Sequence, residues 1–167
     1  MGQYTQVDPI GLSGGNPTLY GYVFNPFMEV DLLGLNLRNA LRLVPNDGWR
    51  AHHLIPNEVW NQHSPFFERI NFTGQHSASN GVKLPGSQSM GLSRGSAFYH
   101  SGSHRGYNRG VMNEVNRIRN NFDNALRNNI NPDDAAKRAR EELTDLQNKQ
   151  RNHLSQNNGG VKCRRIG

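Results

Sequence analysis

Apolar residues recur at helical spacing in the C-terminal half of the chain. Five of them follow one another at steps of four, four, three and four residues, which predicts an amphipathic helix that starts near Ser103. They are Tyr107, Val111, Val115, Ile118 and Phe122. A second helix start lies at residues 131–134, where Asn is the N-cap, Pro is the first helical residue and two Asp residues fill the first turn. We expect that helix to run to about Leu154. Its apolar positions are Ala135, Ala136, Ala139, Leu143 and Leu146.

The stretch between residues 36 and 99 carries weaker signals. Residues 37–44 are rich in apolar side chains and predict a short helix, which ends at the turn sequence Pro-Asn-Asp-Gly. Residues 57–63 form a short amphipathic stretch. Residues 64–99 are rich in Gly, Ser and Asn, so we expect loops there, with one strand at residues 81–85. The aromatic residues expected in the core of this stretch are Trp60, Phe66, Phe67 and Phe72.

Both ends of the chain differ from this middle part. Residues 1–35 are rich in turn signals, because Asp-Pro, Gly-Gly and Asn-Pro pairs follow one another at short intervals. Between them, residues 19–24 are aromatic and β-branched, which predicts a short strand. A segment of this length is too short for a core of its own, so it is typical of the edge of a larger β assembly. The tail from Asn157 onward is expected to be loose.

Composition narrows the class of protein. The chain has 167 residues, which is enough for one domain or for one domain and a tail, and a hydrophobic share of 34% predicts a modest core. The single cysteine, Cys163, excludes an intramolecular disulfide framework and a Cys-rich zinc site. No apolar run approaches the roughly 18 residues that span a bilayer, and we expect no Sec-type signal peptide.

Charge is distributed unevenly along the chain. Residues 1–35 contain three acidic side chains and no Lys or Arg, whereas residues 36–167 contain all 19 basic side chains and the other 10 acidic ones. This asymmetry predicts two functional units, the second of which attracts polyanions such as nucleic acid. A basic surface that only aids solubility is an equally good interpretation of the charge alone.

Four histidines form the strongest chemical pattern. His52 and His53 are adjacent, and on an extended chain they point to opposite faces, so one can bind a metal while the other reaches a water molecule. His100 and His104 are four residues apart, which places both imidazoles on one face of a helix that includes them. If His100 precedes the helix, this spacing loses its meaning. Imidazole suits Zn, Ni and other transition metals and is a poor ligand for Mg on its own.

Other polar residues give weaker signals. The remaining histidines, His63, His76 and His153, lie among polar residues and are expected to be exposed to solvent. Glu58 is close to the adjacent histidines, where it either orients a site residue or caps a helix.

Three segments near the N-terminus carry a specific pattern, namely VDPIGLSGG at 7–15, LYGYV at 19–23 and VDLLGL at 30–35. Together they resemble the C-terminal end of Rhs/YD-repeat core proteins. In that family the core forms a β-cocoon, and the polypeptide is cut after the closing Gly-Leu. A variable toxin domain usually follows such a core end.

This resemblance implies cleavage between Leu35 and Asn36. Asp8 and Asp31 are the implied acidic residues of the cleavage motif. Leu32 stands where the usual closing motif has proline, and the fragment lacks the rest of the cocoon. Both departures argue against self-cleavage of this chain.

Three further segments carry the histidines in a defined order, namely AHHLIP at 51–56, ASNGVKLP at 78–85 and HSGSHRGY at 100–107. They resemble the AHH nuclease family of the HNH (His-Me finger, ββα-metal) superfamily, from residue 51 to about residue 120. The resemblance implies an α+β fold class, with a mostly helical domain built around a ββα-metal nuclease core at residues 36–167. A short β-type Rhs remnant at residues 1–35 precedes it. A toxin domain after an Rhs core is a known context of this family.

The AHH resemblance implies a role for each site residue. His53 is the implied general base, and Asn80 is expected to bond the imidazole or the backbone of His53. His52, His100 and His104 are the implied ligands of one divalent metal ion, which is Zn, Ni, Mg or Mn. The usual spacing between the Asn and the helical histidines is shorter, so residues in the loop 86–99 are expected to be an insertion.

Four basic residues are candidate contacts to nucleic-acid phosphates. They are Lys83, Arg94, Arg105 and Arg109. Each of them also fits an ordinary surface cation when taken alone.

These expectations combine into a metal-dependent endonuclease toxin of a polymorphic Rhs effector, which hydrolyses DNA with little sequence specificity. Export by a type VI-like, contact-dependent route is expected, together with the rest of the Rhs cocoon and a secretion-system carrier. The toxin would act in the cytoplasm of a competitor cell, and its producer would need a cognate immunity protein. Two alternatives remain open, namely a non-catalytic, metal-stabilised module that binds nucleic acid and an RNase that uses the same site.

Overall fold

The computed structural model describes residues 34–95, 98–101, 104–156 and 161–162. Contacts within the chain divide it into two units, residues 1–35 and residues 36–167. All the elements below lie in the second unit, apart from the first two residues of α1. In chain order they are α1 (Gly34–Ala40), β1 (Trp49–His53), α2 (Asn57–Gln62), α3 (Ser64–Arg69), a 3-10 turn (Ala78–Asn80), β2 (Gly81–Pro85), α4 (Gln88–Ser93), β3 (Phe98–Tyr99), α5 (Arg105–Arg127), α6 (Pro132–Ser155) and β4 (Val161–Lys162).

A two-stranded antiparallel sheet carries the adjacent histidines. β1 pairs with β2 so that Trp49 lies opposite Pro85 and His53 lies opposite Gly81. His52 is the buried residue of β1 and both its neighbours are half-buried, whereas Arg50, on the same face as His52, is exposed. The face that carries His52 is therefore covered only towards the end of the strand. The predicted strand at residues 81–85 is confirmed.

Two long helices pack against each other and supply much of the core. α5 buries all five of its predicted apolar positions, and α6 buries its predicted alanines and leucines. The predicted cap is also confirmed, because the Asn131 side chain accepts a hydrogen bond of 2.8 Å from the Asp133 amide. Each large apolar side chain buried in this way contributes about 1.5–3 kcal/mol to folding. α5 begins at Arg105, two residues beyond the predicted start.

One hydrophobic cluster connects these helices with the shorter elements. Trp60 of α2 and the adjacent Phe66 and Phe67 of α3 are buried in it, and the half-buried Phe72 packs against its edge. Leu84 of β2 belongs to the same cluster, so the sheet is anchored to the helical core. The expectation that these aromatic side chains form core is confirmed.

The stretch expected to be mostly loop contains more regular structure than its composition suggests. α3 and α4 both form between residues 64 and 99, and α4 is capped by the Ser87 hydroxyl, which accepts from the Met90 amide at 3.2 Å. The predicted helix at 37–44 instead ends at Ala40, because Arg42 takes a left-handed conformation with φ of 52°. Burial of aromatic side chains and local capping therefore override the Gly, Ser and Asn content.

The described part of the chain is a helix-rich α+β structure. Its order of β1, β2 and then α5 is the order that a ββα core requires. Among the described residues, no helix is both long enough and apolar enough to cross a membrane.

Several predictions for the chain ends are only partly covered. The strand at 19–24 and the acidic residues Asp8 and Asp31 lie outside the described residues. The predicted cut after Leu35 would fall in the first turn of α1. The tail was expected to be loose, yet two of its residues form β4, which pairs in parallel with β3.

Candidate active site

Strand β1 presents its two histidines to different partners. The His52 side chain is 3% exposed, and its ring lies against those of His100 and His104. The His53 side chain is half-buried, and its ring contacts that of His76. Alternation of side chains along a strand separates the two imidazoles although the residues are neighbours. The prediction that His52 and His53 point to opposite faces is confirmed.

His52, His100 and His104 form a compact cluster of three imidazoles. The ring centroid of His52 lies 5.0 Å from that of each partner, and the centroids of His100 and His104 are 4.5 Å apart. Each residue offers one ring nitrogen, and these nitrogens all lie within 4.8 Å of one another. The three predicted ligands are thus brought together as one group that could hold a metal ion.

The cluster is not built on one helical face. α5 begins at Arg105, so His104 directly precedes the helix and His100 lies farther back along the chain. The His100 amide donates a 2.8 Å hydrogen bond to the Pro85 carbonyl, which fixes His100 beside the end of β2. The expected helical stacking of His100 and His104 is therefore wrong. Their imidazoles meet because His100 is fixed beside the end of β2 and His104 directly precedes α5.

The donor set fits a divalent transition metal. The His52 Nε2 atom is buried and has no hydrogen-bond partner in the described part of the chain. Such an unpaired nitrogen costs about 1–3 kcal/mol, a cost that a ligated ion would offset. Burial, and then the charges of His100 and His104, lower the pKa of His52 well below its usual value. The ring is accordingly neutral, as a metal ligand must be. Three imidazoles also leave open positions for water and substrate, as catalytic sites require.

His53 and His76 form a second pair on the other side of β1. The Nε2 atom of His53 and the Nδ1 atom of His76 are 3.1 Å apart and share a hydrogen bond. The rings are nearly perpendicular, at 80°, with centroids 5.2 Å apart. Burial, followed by the charge of His76, lowers the pKa of His53 to about 4, so its imidazole is neutral at pH 7. The expectation that His76 is a solvent-exposed bystander is wrong.

Asn80 bonds to the backbone around the histidines. Its Oδ1 atom accepts from the Ile55 amide at 2.8 Å and from Gln147 Nε2 at 3.1 Å. Its Nδ2 atom donates to the carbonyls of Ile55 at 3.0 Å and Gln75 at 2.8 Å. The residue is completely buried. The expected bond to the imidazole or backbone of His53 is replaced by bonds two residues farther on, so the geometry makes Asn80 a positioning residue.

A cleft with a volume of about 260 Å³ connects the two histidine groups. Its lining includes His52, His53, His100 and His104, together with Glu58 and Asn108. At the edge of this cleft Asn108 Nδ2 donates to Glu58 Oε2 at 2.8 Å. The candidate base and the candidate metal ligands therefore open onto the same space.

The four predicted phosphate contacts are all exposed. Arg105 and Arg109 lie one turn apart at the start of α5, directly after His104, so they share a helical face. Lys83 lies on β2, and Arg94 directly follows α4. None of the four lines the cleft in the described part of the chain.

Two further histidines differ from their expected exposure. His63 is 1% exposed, and its ring bonds to the Val59 carbonyl at 2.9 Å and to Asn116 Oδ1 at 3.0 Å. His153 is half-buried, with its ring centroid 5.0 Å from that of Phe98. Both packing environments arise from residues distant in sequence, which a local pattern cannot show. Both residues have structural roles away from the cleft.

A comparison with known protein families matches residues 33–153 to AHH, described as a nuclease family of the HNH/ENDO VII superfamily with conserved AHH. The chain belongs to the AHH nuclease family. This AHH nuclease carries the family's name-giving motif at Ala51, His52 and His53 on strand β1. Comparisons with curated proteins and with solved structures gave no match.

Two residues of this AHH nuclease were missed as parts of the site. His76 lies 23 residues beyond His53, and no helical or strand period connects the two. Asn108 is one turn beyond His104, so the periodicity of α5 places it on the same side of the helix. Of the two, only Asn108 was detectable from the sequence.

Proposed function

We propose that this AHH nuclease is a metal-dependent endonuclease that hydrolyses phosphodiester bonds, with DNA as its preferred substrate and little sequence specificity. The observation that carries the proposal is the shared cleft, in which a neutral histidine lies beside a cluster of three imidazoles. A nucleophile-activating base and a site for a cation are the two parts that metal-assisted hydrolysis needs.

In this proposal, His53 acts as the general base. Its neutral imidazole takes a proton from the water that attacks phosphorus, and the phosphodiester bond to the leaving oxygen breaks. His52, His100 and His104 hold the divalent ion. When bound there, Zn²⁺, Ni²⁺, Mn²⁺ or Mg²⁺ stabilises negative charge on the phosphate and on the leaving oxygen. The three imidazoles favour the transition metals over Mg²⁺.

Nucleic-acid binding is assigned to four exposed basic side chains, two of which lie in the first turns of α5 after His104. Arg105 and Arg109 extend from the first turns of α5, next to His104. Lys83 and Arg94 contribute further exposed cations. Contacts of this kind attract the phosphate backbone regardless of base sequence, which is the basis for the low specificity proposed here.

The proposed biological context is a toxin released from an Rhs-type polymorphic effector. Residues 7–35 support it by their resemblance to the end of an Rhs core. The proposed domains are an Rhs core end at residues 1–35, which closes with the implied cleavage point after Leu35, and a nuclease toxin at residues 36–167. Export by a type VI-like route would bring the toxin into the cytoplasm of a competitor cell. A cognate immunity protein would protect the producer.

Digestion of supercoiled plasmid tests the catalytic part of the proposal. Purified protein with Zn²⁺, Ni²⁺ or Mn²⁺ should nick and linearise the plasmid, and EDTA should stop the reaction. His53→Ala should lower kcat by about 100-fold or more, since general-base catalysis contributes 10²–10⁴-fold. His153→Ala is the matched control, because His153 packs against Phe98 and does not line the cleft. Undiminished cleavage by His53→Ala would disprove the mechanism, and faster degradation of ribosomal RNA than of plasmid would reassign the substrate to RNA.

A further inference from the structure

The hydrogen bond between His53 and His76 couples the tautomers of their two rings. We propose that His76 is a positioning residue, which accepts a hydrogen bond from His53 Nε2 and so keeps the Nδ1 atom of His53 unprotonated for the attacking water. The inference rests on the proposed role of His53 as general base.

The tautomers of the two rings are coupled by this bond. A neutral imidazole carries a hydrogen on one of its two nitrogens. His53 Nε2 and His76 Nδ1 are 3.1 Å apart, so one N–H hydrogen lies between them. When His53 donates it, the lone pair of His53 is on Nδ1. When His76 donates it, the hydrogen of His53 is on Nδ1 and both of its nitrogens are occupied. Only the first arrangement leaves His53 able to accept a proton from water.

His76 has no competing hydrogen bond within the described part of the chain. Its Nε2 atom is buried there without a partner. The bond to His53 is therefore the contact that fixes the orientation of the His76 ring. The same bond fixes the ring of His53 about its χ2 angle, since the near-perpendicular arrangement of 80° allows the nitrogens to meet edge-on.

The segment that carries His76 is hydrogen-bonded to the chain just beyond β1. The Gln75 carbonyl accepts from Asn80 Nδ2 at 2.8 Å, and the Asn80 Oδ1 atom accepts from the Ile55 amide at 2.8 Å. On the other side of His76, the Ser77 hydroxyl donates to the Gly74 carbonyl at 2.7 Å. The Asn80 side chain thus connects Gln75, which precedes His76, with Ile55, which lies two residues after His53. Little conformational entropy is lost in forming the His53–His76 bond, because both backbones are already ordered.

The experiment compares His76→Phe, which keeps a ring but removes the acceptor, with His76→Asn, whose Oδ1 atom is as many bonds from Cα as the lost Nδ1. With the metal-loaded full chain and plasmid substrate, His76→Phe should lower kcat by about 10- to 100-fold. KM and metal content should not change, because His76 does not line the cleft. His76→Asn should recover most of kcat. His153→Phe, a substitution at another half-buried histidine, should leave kcat unchanged.

A spectroscopic measurement tests the tautomer without relying on activity. In ¹⁵N NMR spectra of the zinc-loaded protein, His53 should be the Nε2–H tautomer in wild type and in His76→Asn. His76→Phe should shift His53 towards a mixture of tautomers. An Nδ1–H tautomer in wild type would overturn the inference, as would an unchanged kcat in His76→Phe.

The two proposals fail in distinguishable ways. If His53→Ala is inactive while His76→Phe is fully active, the positioning role is wrong and the endonuclease mechanism stands. If His53→Ala remains fully active, the proposed function fails, and the positioning role for catalysis fails with it. Loss of kcat in both His76→Phe and His76→Asn, with equal loss of thermal stability, would also refute the positioning role, because it would reduce His76 to a structural residue.

Discussion

Replacing the buried Asn80 carboxamide removes four hydrogen bonds at once. Asn80→Ala leaves the Ile55 amide, the Ile55 carbonyl, the Gln75 carbonyl and Gln147 Nε2 without this partner. At about 1–1.5 kcal/mol for each bond, the free energy of unfolding should fall by about 4–6 kcal/mol. Domains of this size are stable by about 5–15 kcal/mol, so the variant should be close to the limit of folding.

Urea unfolding of the full chain, followed by tryptophan fluorescence, measures this loss. Trp60 lies in the core, with its ring centroid 4.7 Å from that of Phe67, so its emission should report on core packing. Asn116→Ala is a matched control, since it removes a single bond, to the His63 ring, and should cost about 1 kcal/mol. Gln147→Leu removes only one of the Asn80 bonds and should also cost about 1 kcal/mol, so it remains measurable if Asn80→Ala does not fold.

The result that would refute the reasoning is a small loss. If Asn80→Ala costs no more than Asn116→Ala, the carboxamide does not hold the site together. A loss of kcat without a loss of stability would instead show that Asn80 takes part in the chemical step. The geometry predicts the opposite split, with stability and kcat falling together for Asn80→Ala and kcat alone falling for His53→Ala.

The imidazole cluster, the base and the basic surface lead to further expectations. His52→Ala should weaken Zn²⁺ binding by at least about 100-fold in calorimetric titrations, because it removes the buried ligand, and equal affinity would contradict the metal site. In the metal-free protein, His53 should contribute up to about 3 kcal/mol to the loss of stability as pH falls from 6.5 to about 4, because the unfolded chain protonates this histidine first. The lowered pKa of His52 adds to the same loss, so His53→Asn should reduce the slope of the pH dependence in urea unfolding without abolishing it, and an unchanged slope would exclude a contribution from His53. Replacing both Arg105 and Arg109 by Ala should reduce the salt dependence of DNA binding, measured as log Kd against log salt, by a slope of about 2. An unchanged salt slope would show that residues other than Arg105 and Arg109 contact the phosphates.

The sequence predicted those features that depend on neighbouring residues. Local periodicity specifies the apolar face of α5, and the Asn131 cap with Pro132 specifies where α6 begins, so both were recognisable. The opposite orientations of His52 and His53 follow from the two-residue repeat of a strand. Such features are encoded within one or two turns of the chain, and tertiary contacts did not alter them.

The features that the sequence did not reveal depend on contacts between distant segments. His63 and His76 have polar neighbours in sequence, yet the fold buries one and pairs the other with His53. His100 and His104 meet although the helix starts after both, because His100 is tied to Pro85 at the end of β2. The four-residue spacing singled out two histidines that the fold does bring together, although they do not share a helical face.

Strand register determines which histidine of this AHH nuclease is the proposed base and which is the proposed ligand. His52 and His53 have the same side chain, and the β1–β2 pairing, with His53 opposite Gly81, determines which of them enters the imidazole cluster. A slip of one residue would turn His53 into the cluster and His52 towards His76. Asn80 opposes that slip, because its backbone carbonyl accepts from the Leu54 amide at 2.9 Å. Its side chain also bonds to the amide and to the carbonyl of Ile55. Asn80 makes no bond to the histidine rings in the described part of the chain, yet it thereby helps to determine which of the two rings faces the imidazole cluster.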